Sequence, residues 1–309
     1  MSATPASHAN GAAAGEARRV TGLLPPLLTP FKDGAVDFES FGRVLDDLAG
    51  HVAGVLVGGS VGEVPSLTLD ERIALLRAAC GRRDLVGAVA FSIGDNSIEH
   101  SRRLLDAAGE AGADLLVVSV PNYFANSRDG LIAHFGEIAA EAPADLCLYD
   151  NPAANHTPLS VADVVAIAAA VPRLTHVKVT DTALEKVAEL KEATGLTVHA
   201  GDDAVLWHQF TRGADGAMVA LPMVYPARAA EVWSLLRAGR TEDAYAAYRP
   251  ATPFLHGALG GRDYVAVIKA VLLERGLIDS DELRLPLTPL GGARRREVLE
   301  AFAAEAALR

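Results

Sequence analysis

From Val20 onward the chain alternates short apolar runs with longer amphipathic segments, and this alternation limits the folds that it can adopt. Eight short runs consist largely of β-branched and small apolar residues: GLLPPLLTPF, GVLVGGS, LVGAVAFS, DLLVVSVP, LCLYD, THVKVT, TVHAGDD and GAMVALP. The segments between them have helical periodicity, and Thr68 with Glu71 has the spacing of a capping box. Eight strands followed by helices predict an α/β fold, a single (β/α)8 TIM barrel over residues 20–224.

Three segments depart from a regular barrel pattern. Residues 1–19 are rich in Ala, Ser and Gly and lack the charged and apolar regions of a secretory signal, so we expect a disordered tail. Residues 225–309 contain more helix than a barrel needs and predict a C-terminal helical region packed on it. Pro25 and Pro26 interrupt the ladder of the first strand.

The composition argues against several classes of function. The formal net charge is −11 and the pI about 5.3, whereas a nucleic-acid partner requires a basic face. Cys80 and Cys147 form neither a metal-binding spacing nor a disulfide framework, which fits a reducing cytoplasm. No run of 18 apolar residues occurs, so no membrane span is predicted.

A lysine inside the sixth strand is the first candidate for chemistry. His176, Lys178 and Thr180 alternate with two valines that suit the helix layer, so Lys178 is predicted to point into the barrel lumen. Lysine is almost never fully buried without a reason. One reason is pairing with a carboxylate. The other is a nucleophile that forms a Schiff base with a ketone, because an apolar lumen favours the neutral amine that attacks a carbonyl carbon.

Two further candidates lie at the carboxyl ends of strands, where a barrel builds its active site. Tyr149 ends the fifth strand, next to Lys178, and its phenol can carry the proton that loss of water from a carbinolamine requires. The glycine-rich turn GGSVGE, residues 58–63, lacks the Lys-Ser/Thr ending of a phosphate-binding loop. Its N–H groups and the Ser60 hydroxyl suit the carboxylate of a small 2-oxo acid. Glu63 is expected to be a first-turn helix carboxylate or a subunit contact.

The order and spacing of these elements resemble those of the dihydrodipicolinate synthase / N-acetylneuraminate lyase family of Schiff-base aldolases. The resemblance runs from Thr21 to the C-terminus and is carried by PLLTPF at 26–31, GGSVGE at 58–63, PNYF at 121–124, LYDNP at 148–152, VKVTD at 177–181, AGDD at 200–203 and RLPLTPL at 284–290. It implies a lyase without a cofactor. Its substrates would be pyruvate, or a related 2-oxo acid, and an aldehyde, and the enzyme would be a cytoplasmic homodimer or homotetramer.

The resemblance also implies roles for individual residues. Lys178 matches the lysine that condenses with pyruvate, and Tyr149 matches the proton-relay tyrosine. Ser60 matches a hydroxyl that bonds the relay tyrosine and, with the Val61 N–H, holds the pyruvate carboxylate. Tyr123 matches a tyrosine that enters the active site of a neighbouring subunit in the synthases.

The sequence departs from the synthases around the second substrate. Val61 stands where many members have a second hydroxyl, and Asn122 replaces one of two tandem aromatic residues. Synthases usually read Asn-Val-Pro-Gly-Arg after the relay tyrosine, whereas residues 150–154 read Asp-Asn-Pro-Ala-Ala. Ala154 therefore replaces an arginine that helps to receive the carboxylate of the aldehyde. The residues expected to bind or shape the substrate, besides Ser60 and Val61, are Asp150, Asn151, Ala154, Asn155 and Met218.

Three other functions remain open. The first is authentic 4-hydroxy-tetrahydrodipicolinate (dihydrodipicolinate) synthase, although Ala154 argues against efficient use of aspartate semialdehyde unless another cation, such as Arg128, replaces the arginine. The second is a homologue that binds a keto acid without turning it over. The third is a metal-dependent barrel lyase. His176, His199 and His208 are scattered without an HxH or HExxH pattern, so no metal site is predicted.

Overall fold

The computed structural model describes residues 19–306, so the predicted tail lies, apart from Arg19, outside the described residues. Eight parallel strands form the central sheet: β1 Gly22–Leu23, β2 Gly54–Val57, β3 Ala88–Ser92, β4 Leu115–Ser119, β5 Asp145–Asp150, β6 Leu174–Val179, β7 Thr197–Ala200 and β8 Gly216–Ala217. Each strand from β2 to β7 pairs with the next along the chain, and β8 pairs with β1. The predicted (β/α)8 barrel is confirmed.

The barrel closes between β1 and β2 through hydrogen bonds around two prolines. The Leu56 N–H donates to the Pro25 carbonyl at 3.0 Å, and the Leu27 N–H donates to the Leu56 carbonyl at 2.8 Å. Pro25 and Pro26 have no N–H to donate, so the regular ladder of β1 stops at Leu23. The interrupted first strand is confirmed, and the proline carbonyls complete the closure.

Helices surround the barrel and extend beyond it at the C-terminal end. They are α1 Phe38–Leu48, α2 Leu69–Cys80, α3 Arg83–Val86, α4 Ile98–Ala111, α5 Arg128–Glu141, α6 Pro152–Asn155, α7 Val161–Ala170, α8 Lys186–Ala193, α9 Leu206–Thr211, α10 Leu221–Val224, α11 Pro226–Arg237, α12 Thr241–Tyr248, α13 Tyr264–Glu274 and α14 Gly292–Ala306. The Thr68–Glu71 capping box is present at the start of α2. In residues 19–306 no helix is both long enough and apolar enough to cross a bilayer.

The eighth helix of the barrel lies in the segment that the sequence pattern assigned to the C-terminal region. Helix α11 follows β8 and contacts β1, which is the position of the last barrel helix. Helix α12 packs against α11, and α13 packs against α10 and α14. The helical sequence pattern after residue 225 predicts that extra helices exist, but it does not predict which of these helices packs on the barrel.

Side chains alternate along each strand between two apolar regions. The outer region lies between strands and helices and includes Val177 and Val179. The inner region fills the lumen with Leu24, Leu56, Ala90, Leu115, Val117, Cys147, Tyr149 and Met218. Because Val177 and Val179 face outward, Lys178 between them faces the lumen, as the strand pattern predicts.

Candidate active site

Lys178 and Tyr149 are neighbours across the β5–β6 ladder. They are paired in register, and Lys178 Nζ lies 4.1 Å from the centre of the Tyr149 ring. Both side chains are buried, with 3% and 7% exposed. The fold therefore brings an amine and a phenol together in an apolar lumen.

Lys178 differs from the other buried lysines in its surroundings. Lys186 Nζ lies 2.6 Å from the Asp150 carboxylate, and Lys269 Nζ lies 2.6 Å from the Glu63 carboxylate. Within residues 19–306, Lys178 forms no ion pair with a carboxylate. The alternative explanation for a buried lysine was pairing with a carboxylate. In the described part of the chain, this explanation does not apply to Lys178.

The Tyr149 hydroxyl is held by several polar groups. Asn151 Nδ2 donates a hydrogen bond to it at 3.0 Å, and Ser60, Thr180 and Lys178 lie close enough to stabilise its ionised form. Burial by itself raises the pKa of Tyr149, but the charge of Lys178 and the nearby polar groups of Ser60, Thr180 and Lys178 together outweigh burial. The pKa of Tyr149 is consequently lowered from its ordinary value, which suits a group that exchanges protons near neutral pH.

Ser60 begins a short 3-10 turn, Ser60–Gly62, at the end of β2. The Thr29 hydroxyl donates to the Gly62 carbonyl at 2.7 Å and ties the turn to the segment after β1. A Cβ on Gly62 would lie 2.9 Å from the Leu27 carbonyl oxygen, so only glycine allows this approach. Val61 packs its side chain into the outer core and adds no polar side chain to the site.

The residues after Tyr149 do not all reach the lumen. Asp150 is fully buried on the other face of β5, where it pairs with Lys186. Burial raises the pKa of Asp150, and Lys186 opposes this effect. Alternation along the strand explains the placement, which does not support Asp150 as a substrate-shaping residue. Asn155 is buried, and its Nδ2 donates to the Tyr149 carbonyl at 3.5 Å.

The mouth of the site has no cation at the position of the missing arginine. Ala154 is exposed in α6, and its N–H bonds to Asn151 Oδ1 at 3.3 Å. Arg128, the candidate replacement, lies 2.6 Å from the Asp163 carboxylate, in an ion pair between α5 and α7. Met218 is fully buried in the lumen cluster that contains Tyr149.

Tyr123 lies outside the lumen of its own chain. Its side chain is 85% exposed, and its ring contacts Phe124 edge to face with centres 4.9 Å apart. Its φ of 84° places it in the left-handed region, which is uncommon for a residue with a side chain. The structure does not bring Tyr123 to Lys178 within one chain.

Three residues of this region were not identified from the sequence. Thr180 lies near the Tyr149 hydroxyl, and the Tyr264 hydroxyl lies near Ser60. Lys269 pairs with Glu63, so the expectation of a first-turn carboxylate or a subunit contact at Glu63 is wrong. Because side chains alternate along a strand, the lumen position of Lys178 was sufficient to predict that Thr180, two residues further on, faces the same way. Lys269 and Tyr264 lie in α13, far along the chain, and no local pattern connects them to the turn.

Two histidines lie beside Lys178. His199 is paired in register with Lys178, and His176 precedes Lys178 by two residues on the same face of β6. The rings of His176 and His199 stack with centres 5.7 Å apart. The pKa of His176 is lowered to about 4 and that of His199 to about 3, mainly because both rings are buried. In residues 19–306, no group of three or more His, Cys, Asp and Glu side chains could hold a metal ion.

Barrels in which a buried lysine and a proton-transferring phenol share the lumen form the class I, Schiff-base type of aldolase, and this chain is a lyase of that class. A model of the Dihydrodipicolinate synthetase family matches residues 19–305. The chain therefore belongs to the dihydrodipicolinate synthetase family.

Individual relatives agree with this assignment. The 4-hydroxy-tetrahydrodipicolinate synthase of Sorangium cellulosum (strain So ce56) is 34% identical over 292 residues, covering 92% of this chain and 95% of that protein. The enzyme of the same name from Xanthomonas axonopodis pv. citri (strain 306) is 32% identical over 299 residues, covering 93% and 96%. The crystal structure of dihydrodipicolinate synthase from Aquifex aeolicus is similar with a TM-score of 0.86 and 25% identity, covering 92% of this chain and 97% of that chain.

Proposed function

We propose that Lys178 forms a Schiff base with pyruvate or a related 2-oxo acid, and that the protein catalyses an aldol condensation or cleavage with an aldehyde partner. The observation that carries this proposal is the environment of Lys178. It is buried beside Tyr149 and forms no carboxylate pair within residues 19–306, whereas the buried Lys186 and Lys269 both do. A lysine that is not held in an ion pair can present its amine to a carbonyl carbon, as a nucleophile must.

The residues around Lys178 account for each proton in the reaction. The Nζ lone pair attacks C2 of the keto acid, the carbonyl oxygen takes a proton from Tyr149, and Tyr149 recovers a proton from the nitrogen. Tyr149 then gives this proton to the carbinolamine hydroxyl, and water leaves as the C=N bond forms. The protonated imine then accepts the electrons of a broken C3–H bond in condensation, or of a broken C–C bond in cleavage. Tyr149, close to Ser60 and Thr180, returns and removes protons. The Ser60 hydroxyl and the Val61 N–H hold the carboxylate.

The identity of the aldehyde partner is a separate question. The Sorangium and Xanthomonas relatives are named 4-hydroxy-tetrahydrodipicolinate synthases, which makes that reaction the second candidate. Against it, Ala154 offers no side-chain donor, and Arg128 is already paired with Asp163. A carboxylate at the far end of the aldehyde loses hydration there without gaining a charge-assisted bond. We therefore propose a partner that is less anionic or bulkier than aspartate semialdehyde.

We also propose that the protein is a cytoplasmic homodimer or homotetramer. Tyr123 is 85% exposed and Phe124 is 74% exposed, and together they form an aromatic pair suited to a subunit contact. From this position Tyr123 would enter the site of a neighbouring subunit. Cys80 and Cys147 are free thiols, which fits a reducing compartment.

Borohydride trapping tests the imine directly. Incubation with pyruvate and borohydride reduces an imine to a stable secondary amine, so we expect a single adduct that peptide mapping assigns to Lys178. Lys178→Ala should give no adduct. Lys191→Ala, which removes an exposed lysine paired with Asp215, should be labelled like the wild type. An adduct at Lys186, Lys191 or Lys269 in place of Lys178 contradicts the proposal.

A turnover assay separates a lyase from a protein that only binds a keto acid. Purified protein would be given pyruvate with a panel of aldehydes, and consumption of both substrates would be measured. Trapping at Lys178 without turnover of any aldehyde, or of any 2-oxo acid in the cleavage direction, favours the non-catalytic homologue.

A further inference from the structure

Tyr264 brings a third hydroxyl to Ser60 and Tyr149 from the C-terminal helices. Its hydroxyl lies near Ser60, and it lies close enough to Tyr149 for the two phenols to influence each other's charge. Tyr264 is the first residue of α13, and this helix contacts the turn Ser60–Gly62. The mechanism proposed above gives this phenol no role.

The position of Tyr264 is held from two sides. Further along the same helix, Lys269 pairs with Glu63, the residue that follows the Ser60 turn, at 2.6 Å. On the other side of Tyr264, Asp263 pairs with Arg294 at 2.9 Å, and Arg294 also donates to the Ala258 carbonyl at 2.7 Å. Side chains that are held by their supporting contacts keep the geometry that proton transfer needs.

The surroundings of Tyr264 keep its proton in place at neutral pH. The pKa of Tyr264 is raised to about 12, mainly because the side chain is largely buried. The nearby Tyr149 raises this pKa further, whereas Ser60 lowers it. A protonated phenol can donate to the Ser60 oxygen. Tyr264 is partly exposed whereas Tyr149 is buried, so the path from Tyr149 through Ser60 to Tyr264 leads from the lumen towards solvent.

We propose that Tyr264 is a positioning residue that extends the proton relay from Ser60 towards solvent, by orienting the Ser60 hydroxyl and exchanging protons with it. The proposal rests on the proposed Schiff-base function of Lys178. One feature makes room for it, because Val61 contributes no hydroxyl to the turn.

Proton transfer can be followed with pyruvate alone. When the imine loses a proton from C3, the C3–H bonding electrons form a C2=C3 bond and the C=N π electrons return to nitrogen as a lone pair. Addition of a deuteron at C3 in D2O, followed by hydrolysis of the imine, releases pyruvate with deuterium in its methyl group. Each hydroxyl of the relay passes on its own proton as it receives another, so the exchange rate reports on the relay without an aldehyde.

The test compares Tyr264→Phe with Tyr245→Phe, a substitution at a surface tyrosine that is 44% exposed. Methyl-proton exchange at saturating pyruvate should be about 10²-fold slower in Tyr264→Phe, the lower end of the range for loss of acid–base catalysis, because Tyr264 acts through Ser60. The pyruvate concentration at half-saturation, the final amount of borohydride adduct on Lys178 and the thermal unfolding curve should match the wild type. Tyr245→Phe should match it in every respect.

A double-mutant cycle with Ser60→Ala shows whether Tyr264 acts through Ser60. If it does, Tyr264→Phe should slow the exchange of methyl protons much less in the Ser60→Ala background than in the wild type. The proposal is overturned if the two effects on the exchange rate are additive, or if Tyr264→Phe exchanges within about threefold of wild type, a loss too small for a relay group. It is also overturned if only the half-saturating pyruvate concentration changes. Failure of the wild type to form an adduct on Lys178 instead overturns the Schiff-base function itself.

Discussion

The Lys269 ammonium lies 2.6 Å from the Glu63 carboxylate, and neither side chain is exposed to solvent. Lys269 also donates to the Glu282 carbonyl at 2.6 Å, and the Arg284 N–H donates to Glu63 at 3.0 Å. Burial is the main cause that lowers the pKa of Lys269, and Glu63 opposes it. This network joins the C-terminal region to the turn that carries Ser60, so the helices beyond the barrel support an element of the candidate active site.

Breaking this pair should destabilise the fold. Lys269→Met leaves the Glu63 carboxylate buried without its partner, and we expect the free energy of unfolding to fall by about 3–5 kcal/mol. The double variant Glu63→Leu, Lys269→Met removes both charges and should recover much of that loss. Urea denaturation measures all three proteins. A single variant that unfolds at the wild-type urea concentration would show that the pair contributes little.

Tyr149→Phe keeps the ring in the lumen and removes only the hydroxyl. We expect turnover to fall by about 10²–10⁴-fold, the usual cost of losing a general acid–base group, while the circular dichroism spectrum stays unchanged. Steady-state kinetics with the best substrate from the aldehyde panel measures the loss. Turnover within about threefold of wild type would mean that another group carries the proton.

Chelation of metal ions should leave the activity intact. In the proposed reaction the protonated imine nitrogen accepts the electrons, so no Lewis acid is required. Activity is measured before and after prolonged dialysis against EDTA, with thermal unfolding as a control for damage. Loss of activity that is restored by adding zinc would support the metal-dependent alternative.

The protein should use aspartate semialdehyde poorly. The missing charge-assisted bond at Ala154 is worth about 1.5–3 kcal/mol, which corresponds to one to two orders of magnitude in kcat/KM. A coupled assay with pyruvate should give a value below about 10⁴ M⁻¹ s⁻¹, the lower end of the usual enzyme range. Ala154→Arg should raise it, whereas Ala153→Arg, at the exposed neighbouring position, should not. A wild-type value above that limit contradicts the prediction.

Two buried histidines should make the fold sensitive to acid. The pKa of His176 is lowered to about 4 and that of His199 to about 3, mainly by burial, whereas both have ordinary values near 6.5 when unfolded. Below pH 6.5 the unfolded chain therefore binds more protons than the folded one. The contribution of this pair to the free energy of unfolding is complete above about pH 6.5 and is lost as the pH falls towards 4.

His199→Phe keeps a ring in contact with His176 and removes one titrating group. Its free energy of unfolding should fall less steeply between pH 6.5 and 4 than that of wild type, by a difference on the order of 1–3 kcal/mol. Asp203, whose pKa burial raises to about 6, acts in the opposite direction but is present in both proteins. Urea denaturation at several pH values gives the two curves, and parallel curves contradict the prediction.

Local patterns were sufficient to predict the barrel and the central pair of the candidate site. Strand alternation predicts that Lys178 faces the lumen, because successive side chains of any strand point to opposite faces. The pairing of β5 with β6 then places Tyr149 beside it, since consecutive parallel strands in a barrel are neighbours. Applied to Asp150, the same rule predicts an outward side chain, and the structure has one, in contact with Lys186.

The sequence by itself determined the fold class, the family motifs and the lumen position of Lys178, because each depends on a short repeat or on residues close together in the chain. Only the tertiary structure decided which groups of the C-terminal region support the turn that carries Ser60. Glu63 meets Lys269 and Ser60 meets Tyr264 because α13 packs against the turn after β2. Contacts between residues so far apart in the chain depend on how the C-terminal helices pack, and the periodicity of a single segment carries no information about that packing.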